Sequence, residues 1–132
     1  MDLNPYKFLA PFDKYEFANH VINSQVDLVI LPMAWLIAQS SGALVEIDNT
    51  QEPNLDVLNY WVQRLVPLID QGHNCGREIT IVISNRIGAE GECNFAGTSV
   101  VLGLSKGNVK VHGCLGQGIE GLLVCAVPHQ FP

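Results

Sequence analysis

The sequence predicts an α/β layered fold, and three observations carry that expectation. Glu78-Ile79-Thr80-Ile81-Val82-Ile83 is rich in the β-branched residues that strands favour. Leu55, Leu58, Val62, Leu65 and Ile69 recur at spacings of 3, 4, 3 and 4, which is one helical stripe. Asp27-Leu28-Val29-Ile30-Leu31 runs apolar for four positions and stops at Pro32, which reads as a central strand buried on both faces. The order helix, strand, helix, strand is that of a sheet layered with helices.

Taken in order, residues 2–12 form a loop with two prolines, Pro5 and Pro11. Asp13 with Glu16 three residues on is an Asp variant of the capping box. It predicts a short amphipathic helix over 14–24, with Phe17, Val21 and Ile22 at helical spacing. The strand over 27–31 follows. Residues 38–52 are polar and loop-like, and Pro53 suits the first turn of the helix over 55–69. Pro67 breaks the hydrogen-bond ladder late in that helix and should kink or shorten it. The stripe and its neighbours Tyr60 and Trp61 read as core packing. After a turn carrying Gly72, Asn74 and Gly76 comes the strand over 78–84, then a polar loop over 84–97. A third strand is expected over 98–104, with Val109-Lys110-Val111 as its hairpin partner. A last strand is expected over 122–127, ended by Pro128. The glycines from Gly113 to Gly121 are not a phosphate loop, because they lack a Gly-Lys-Ser/Thr ending and precede a strand.

Composition bounds the function. The chain has 132 residues, 48% hydrophobic and 15% charged, which fits one globular domain or part of one. The net charge is −6 with no run of Lys or Arg, which argues against nucleic-acid or anionic-membrane partners. No apolar run approaches the roughly 20 residues of a membrane span. Met1-Asp2-Leu3-Asn4-Pro5 has neither the basic region nor the apolar core of a signal peptide, so a cytoplasmic or nuclear location is expected. The cysteines at 75, 93, 114 and 125 form no Cys-x-x-Cys pair and read as reduced thiols. His73 and Cys75 lie close in sequence, but two candidate ligands do not make a closed zinc site.

In sheets flanked by helices, ligands collect at the carboxyl ends of strands. Pro32, Met33, Ala34 and Trp35 therefore fall where a pocket would be, although the pattern by itself favours Trp35 as a core residue capping the strand end over a pocket wall. Three blocks carry a resemblance: Asp27-Leu-Val-Ile-Leu-Pro-Met-Ala-Trp35, Ser84-Asn85-Arg86-Ile87-Gly88-Ala89-Glu90-Gly91, and Phe95-Ala96-Gly97-Thr98-Ser99 followed by Gly121-Leu122-Leu123-Val124. In order and spacing they resemble the second half of a nitrilase-superfamily (carbon–nitrogen hydrolase) domain. The opening Met1-Asp2-Leu3-Asn4-Pro5-Tyr6-Lys7-Phe8 and the stretch Asn59-Tyr60-Trp61-Val62-Gln63-Arg64-Leu65-Val66-Pro67-Leu68 resemble the fungal protein N-terminal amidase branch. The resemblance covers essentially the whole chain.

The resemblance implies a four-layer α-β-β-α sandwich, of which this chain would be the C-terminal portion of one domain, supplying strands to both sheets. It implies deamidation of N-terminal Asn and Gln on proteins or peptides, a step of the N-degron pathway. The family uses a Glu–Lys–Cys triad: the Cys attacks the amide carbon, the Glu is general base, and the Lys steadies the oxyanion. No metal or organic cofactor takes part. The positions matching Glu, Lys and Cys lie on the N-terminal side of the one matching Met1, so the chain by itself is expected to be inactive. None of its cysteines matches the nucleophile. Cys93 is the nearest to a plausible site, and Glu90 and Glu92 beside it read as solvated loop carboxylates.

What the resemblance leaves to this chain is the wall of a site. Met1 would give an oxyanion-hole N–H, and Asp2 would brace the elbow by bonding nearby backbone. Met33 and Trp35 would line the acyl pocket. Asn85 and Arg86 would sit at a strand end near it, or Arg86 would form an internal ion pair. The alternatives are a non-catalytic remnant acting as a binding module, or a truncated amidase of another nitrilase branch. The sequence does not give the oligomeric state.

Overall fold

The computed structural model describes residues 2–37 and 51–128. Its frame is a four-stranded sheet with helices packed on one face. The sheet order is β1 (Leu28–Met33), β2 (Ile79–Asn85), β5 (Val100–Ser105), β6 (Asn108–Cys114). β1 runs parallel to β2, and the other neighbours are antiparallel. The helices are α1 (Glu16–Ser24), α2 (Leu55–Arg64) and α3 (Val66–Gln71). A two-stranded hairpin of β3 (Ala89–Glu90) and β4 (Cys93–Asn94) stands beside the sheet. The described residues thus form one helix layer and one sheet layer, which is half of an α-β-β-α sandwich. Among the described residues all four long strands belong to the same sheet, where strands divided between two sheets were expected.

Alternation along each strand decides which face is covered. Ile79, Ile81 and Ile83 of β2 and Val100, Leu102 and Leu104 of β5 meet Trp61, Leu65, Leu68, Phe17 and Val21 in one buried cluster. Successive side chains point to opposite faces, so the partners of these residues turn to the other side. There Leu28 is 49% exposed and Ile30 65% exposed. β1 is therefore an edge strand among the described residues, with one face half-covered and the other open, not the doubly buried central strand the sequence suggested. A short apolar run fits either position. Pro32 inside the strand was the readable warning, because proline within sheets keeps to edges.

Helix boundaries shift for local reasons. Asp13 does not cap α1. It lies in a 3-10 turn, Phe12–Lys14, and Tyr15 then adopts the left-handed conformation at φ 45°, so α1 starts at Glu16 with no side-chain cap. Pro53 does not enter α2. Asn54 is the N-cap, its side-chain oxygen accepting from the Val57 N–H at 3.1 Å. The expected single helix over 55–69 is two helices that meet at Leu65, where φ is −109° and ψ 8°. Pro67 forces this, since its ring excludes helical hydrogen bonding to the preceding turn. It sits instead in the first turn of α3. Residues 122–128 form no strand. Nearly all of the loop expected over 38–52 lies outside the described residues.

A register shift between β5 and β6 leaves His112 opposite no partner: Leu102 pairs with Val111 and Val101 with Gly113. The bulge turns His112 onto the sheet, where its Nε2 lies 2.6 Å from Glu78 Oε1 with the imidazole 4% exposed. Gly103 lies beneath this pair, and a Cβ there would run into the Glu78 carboxylate. Gly103→Ala should therefore push Glu78 aside, break the pair and loosen β6. The expected result is faster amide exchange in β6 with β2 unchanged, at a cost of about 1–3 kcal/mol for the orphaned buried groups.

Candidate functional site

The carboxyl end of β1 and the N-terminal segment enclose a cleft of about 670 Å³. Asp2, Asn4 and Phe8 line one side, and Pro32, Met33 and Trp35 the other. Of the residues singled out from sequence, Asp2, Met33 and Trp35 are brought together here. Met1 lies outside the described residues. Asp2 Oδ1 accepts from the Asn4 N–H at 3.1 Å, an Asx-type turn that shapes the start of the segment.

Asn85 does not line the cleft but stands behind it. Its Oδ1 accepts from the Trp35 N–H at 2.7 Å, and its Nδ2 donates to the Gly97 carbonyl at 2.9 Å and to the Trp35 carbonyl at 3.3 Å. Its own N–H donates to Ser99 Oγ at 3.0 Å. Asn85 is 6% exposed, so the amide is committed to backbone and acts on the cleft by fixing Trp35. Arg86 is not among the residues that line the cleft. Its Nη1 lies 2.7 Å from Glu90 Oε2, and its guanidinium stacks 4.3 Å from the Phe95 ring centroid. The open choice between pocket and internal ion pair resolves to the ion pair, with Arg86 about half exposed. Cys93 is exposed in β4, and Glu90 beside it is spent on Arg86.

Trp35 is held from below as well. Its ring lies 5.6 Å from Tyr60 and 6.2 Å, edge-on, from Trp61. The Tyr60 hydroxyl donates to Asn4 Oδ1 at 2.7 Å, which links α2 to the opposite wall of the cleft. Sequence reading missed Asn4, Tyr60 and Arg64. Their spacing of four puts Tyr60 and Arg64 on one side of α2, but it gives no sign of what they meet there.

Burial pushes the Tyr60 phenol above its ordinary 10.0; the Arg64 charge opposes this and Asp2 adds to it. Burial likewise raises the Cys114 thiol above 9.0. A proton held more tightly in the folded state stabilises the fold below the group's ordinary pKa, and that contribution is lost as pH rises through the raised value. Stability should therefore hold up to about pH 9 and fall above it, first through Cys114 and then through Tyr60. Thermal unfolding across that range checks it: Tyr60→Phe should flatten the upper part of the fall, and an unaltered profile would contradict the assignment.

No metal centre is evident. Among the described residues no group of three or more His, Cys, Asp and Glu side chains could hold an ion. His73 Nε2 sits 3.1 Å from Asp27 Oδ1, and its Nδ1 accepts from the Cys75 N–H at 3.1 Å, so the imidazole ties the turn before β2 to the start of β1.

No protein-family model matches the chain. It is 34% identical over 135 residues to protein N-terminal amidase of Schizosaccharomyces pombe, covering 94% of this chain and 44% of that protein. It is 50% identical over 40 residues to protein N-terminal amidase of Saccharomyces cerevisiae, covering 30% of this chain and 9% of that protein. A crystal structure of N-terminal amidase with an Asn-Glu-Ala peptide superposes with a TM-score of 0.75 at 21% identity, covering 92% of this chain and 56% of that one. The chain thus spans less than half the length of either curated relative.

Proposed function

Taking as premise that this chain is homologous over nearly its whole length to part of a fungal protein N-terminal amidase, and has the corresponding nitrilase-like fold, we propose that it forms the C-terminal wall of a protein N-terminal amidase site. The observation that carries the reading is the cleft at the carboxyl end of β1, where Met33 and Trp35 face Asp2 and Asn4. It is concave, with the polar side chains of Asp2 and Asn4 on one side and the apolar side chains of Pro32, Met33 and Trp35 on the other, as a site for a short polar chain end requires. The superposed crystal structure of N-terminal amidase is one with an Asn-Glu-Ala peptide, which supports a peptide N-terminus as the occupant.

The proposed reaction is deamidation of an N-terminal Asn or Gln side chain. A cysteine thiolate supplied by the N-terminal part of the domain attacks the amide carbon, ammonia leaves, and water hydrolyses the thioester to the acid. A neutral amide becomes a carboxylate, so the protein's new N-terminal residue is Asp or Glu. In the N-degron pathway that change would act in the cytoplasm or nucleus. The residues of this chain take no part in bond making. They shape the pocket and hold the segment that leads from the nucleophile. The second reading, a binding module, is favoured by the same cleft with no chemistry attached.

The test joins this chain in frame behind the N-terminal part of the fission-yeast relative and assays ammonia release from a peptide with N-terminal Asn. The joined protein should release ammonia and the chain by itself should not. A joined protein that folds and binds the peptide without releasing ammonia would favour the binding module.

A further inference from the structure

Arg64 is a buried cation whose partners are unusual. It is 4% exposed. Its Nε donates to the Leu3 carbonyl and its Nη1 to the Phe12 carbonyl, each at 2.8 Å. Its guanidinium also lies 5.3 Å from the Phe12 ring centroid and 4.9 Å from that of Tyr15. Among the described residues no carboxylate pairs with it. Burying a charge without a counter-charge is costly unless its donors are well satisfied, so the arrangement calls for a purpose beyond filling the core. One turn earlier on the same side of α2, Tyr60 donates to Asn4 Oδ1 at 2.7 Å. Two side chains of one helix thus grip both ends of the segment between Leu3 and Phe12.

That segment needs gripping. Lys7 and Phe8 have φ of 52° and 56°, left-handed values that non-glycine residues adopt at a cost. Leu3 and Pro5 are buried, but Tyr6, Phe8, Leu9 and Phe12 are 63–84% exposed, so apolar burial anchors only the start of the segment and not the rest of it. Strained backbone persists only where its surroundings over-determine it. Here the surroundings are the hydrogen bonds from α2, and the segment they hold supplies Asp2, Asn4 and Phe8 to the cleft.

We propose that Tyr60 and Arg64 are positioning residues, a two-point clamp from α2 that sets the N-terminal wall of the cleft and hence how tightly it takes its ligand. The clamp itself follows from geometry; its effect on substrate rests on the amidase reading. Lysine at position 64 keeps the charge but lacks the fork that reaches two carbonyls at once.

Two measurements separate these parts. In the joined protein, active or not, hydrogen exchange is read peptide by peptide, with β2 and β5 as internal reference. Arg64→Lys should speed exchange in residues 3–12 by about tenfold and Tyr60→Phe by a smaller factor, with the sheet unchanged. Unchanged exchange in both variants overturns the clamp. In the joined protein, Tyr60→Phe should raise KM for an Asn-terminal peptide about threefold to tenfold with kcat nearly kept. A merely structural role would lower the active fraction, and so kcat, at unchanged KM; that result overturns the positioning role. Absence of ammonia release from the unsubstituted joined protein would count against the amidase reading alone, since the exchange experiment stands without it.

Discussion

Asn85→Ala should cost about 2–5 kcal/mol and dismantle the cleft from behind, because it leaves the Trp35 N–H and the Gly97 carbonyl buried without partners. The cost of an unmade bond exceeds the net gain of a made one, so this small polar side chain outweighs many apolar contacts. Asn85→Asp separates shape from chemistry. It keeps the volume and the acceptor for the Trp35 N–H, but it sets an oxygen against the Gly97 carbonyl where a donor stood 2.9 Å away. It should therefore be no milder than alanine. Urea unfolding of the joined protein reads the stability, and Trp35 fluorescence reads the cleft. A loss below about 1 kcal/mol for both variants would mean that the loops after β1 and β4 are held by something else.

The second large effect concerns the chain by itself. Leu28 and Ile30 present an open apolar face on an edge strand, and Leu122 and Val124 are 87% and 81% exposed. Each such side chain forgoes roughly 1.5–3 kcal/mol of possible burial. A domain's whole stability is about 5–15 kcal/mol. Open strand edges also pair with other chains. The 132-residue chain should therefore run as oligomers or lack a sharp thermal transition, and the joined protein should run as a defined species. Size-exclusion chromatography with thermal unfolding on both decides it. A monomeric chain with a cooperative transition would contradict the expectation and favour a module that stands alone.

How much of this was legible in the sequence depends on how local the cause is. β2 was readable because Ile79 to Ile83 are β-branched and the strand is covered on its helix-facing side. The α2 stripe was readable from its period. β1 was recognised as a strand, but its place at the edge among the described residues was not, since four apolar residues say nothing about what lies beyond them. Leu122 to Val127 has a strand's composition but gains no ladder partner among the described residues. The cleft's position at a strand end followed from fold class, and Met33 and Trp35 with it. The parts that hold the cleft were not readable. Asn85 meets Trp35 across 50 positions, Tyr60 meets Asn4 across 56, and Arg64 meets Leu3 across 61. A polar residue whose partner is far along the chain carries no mark of that partner in its own neighbourhood.

The cleft at the end of β1 is expected to take a peptide N-terminus. This is tested most directly by ammonia release from the joined protein before and after Trp35→Ala. The substitution removes the aromatic wall while leaving Asn85 its backbone partners. Ammonia should be released from a peptide with free N-terminal Asn and not from its N-acetylated form. Trp35→Ala should lower kcat/KM by at least about tenfold, the loss expected when an aromatic anchor is truncated. Equal turnover by the two proteins, or equal use of the acetylated peptide, would contradict it.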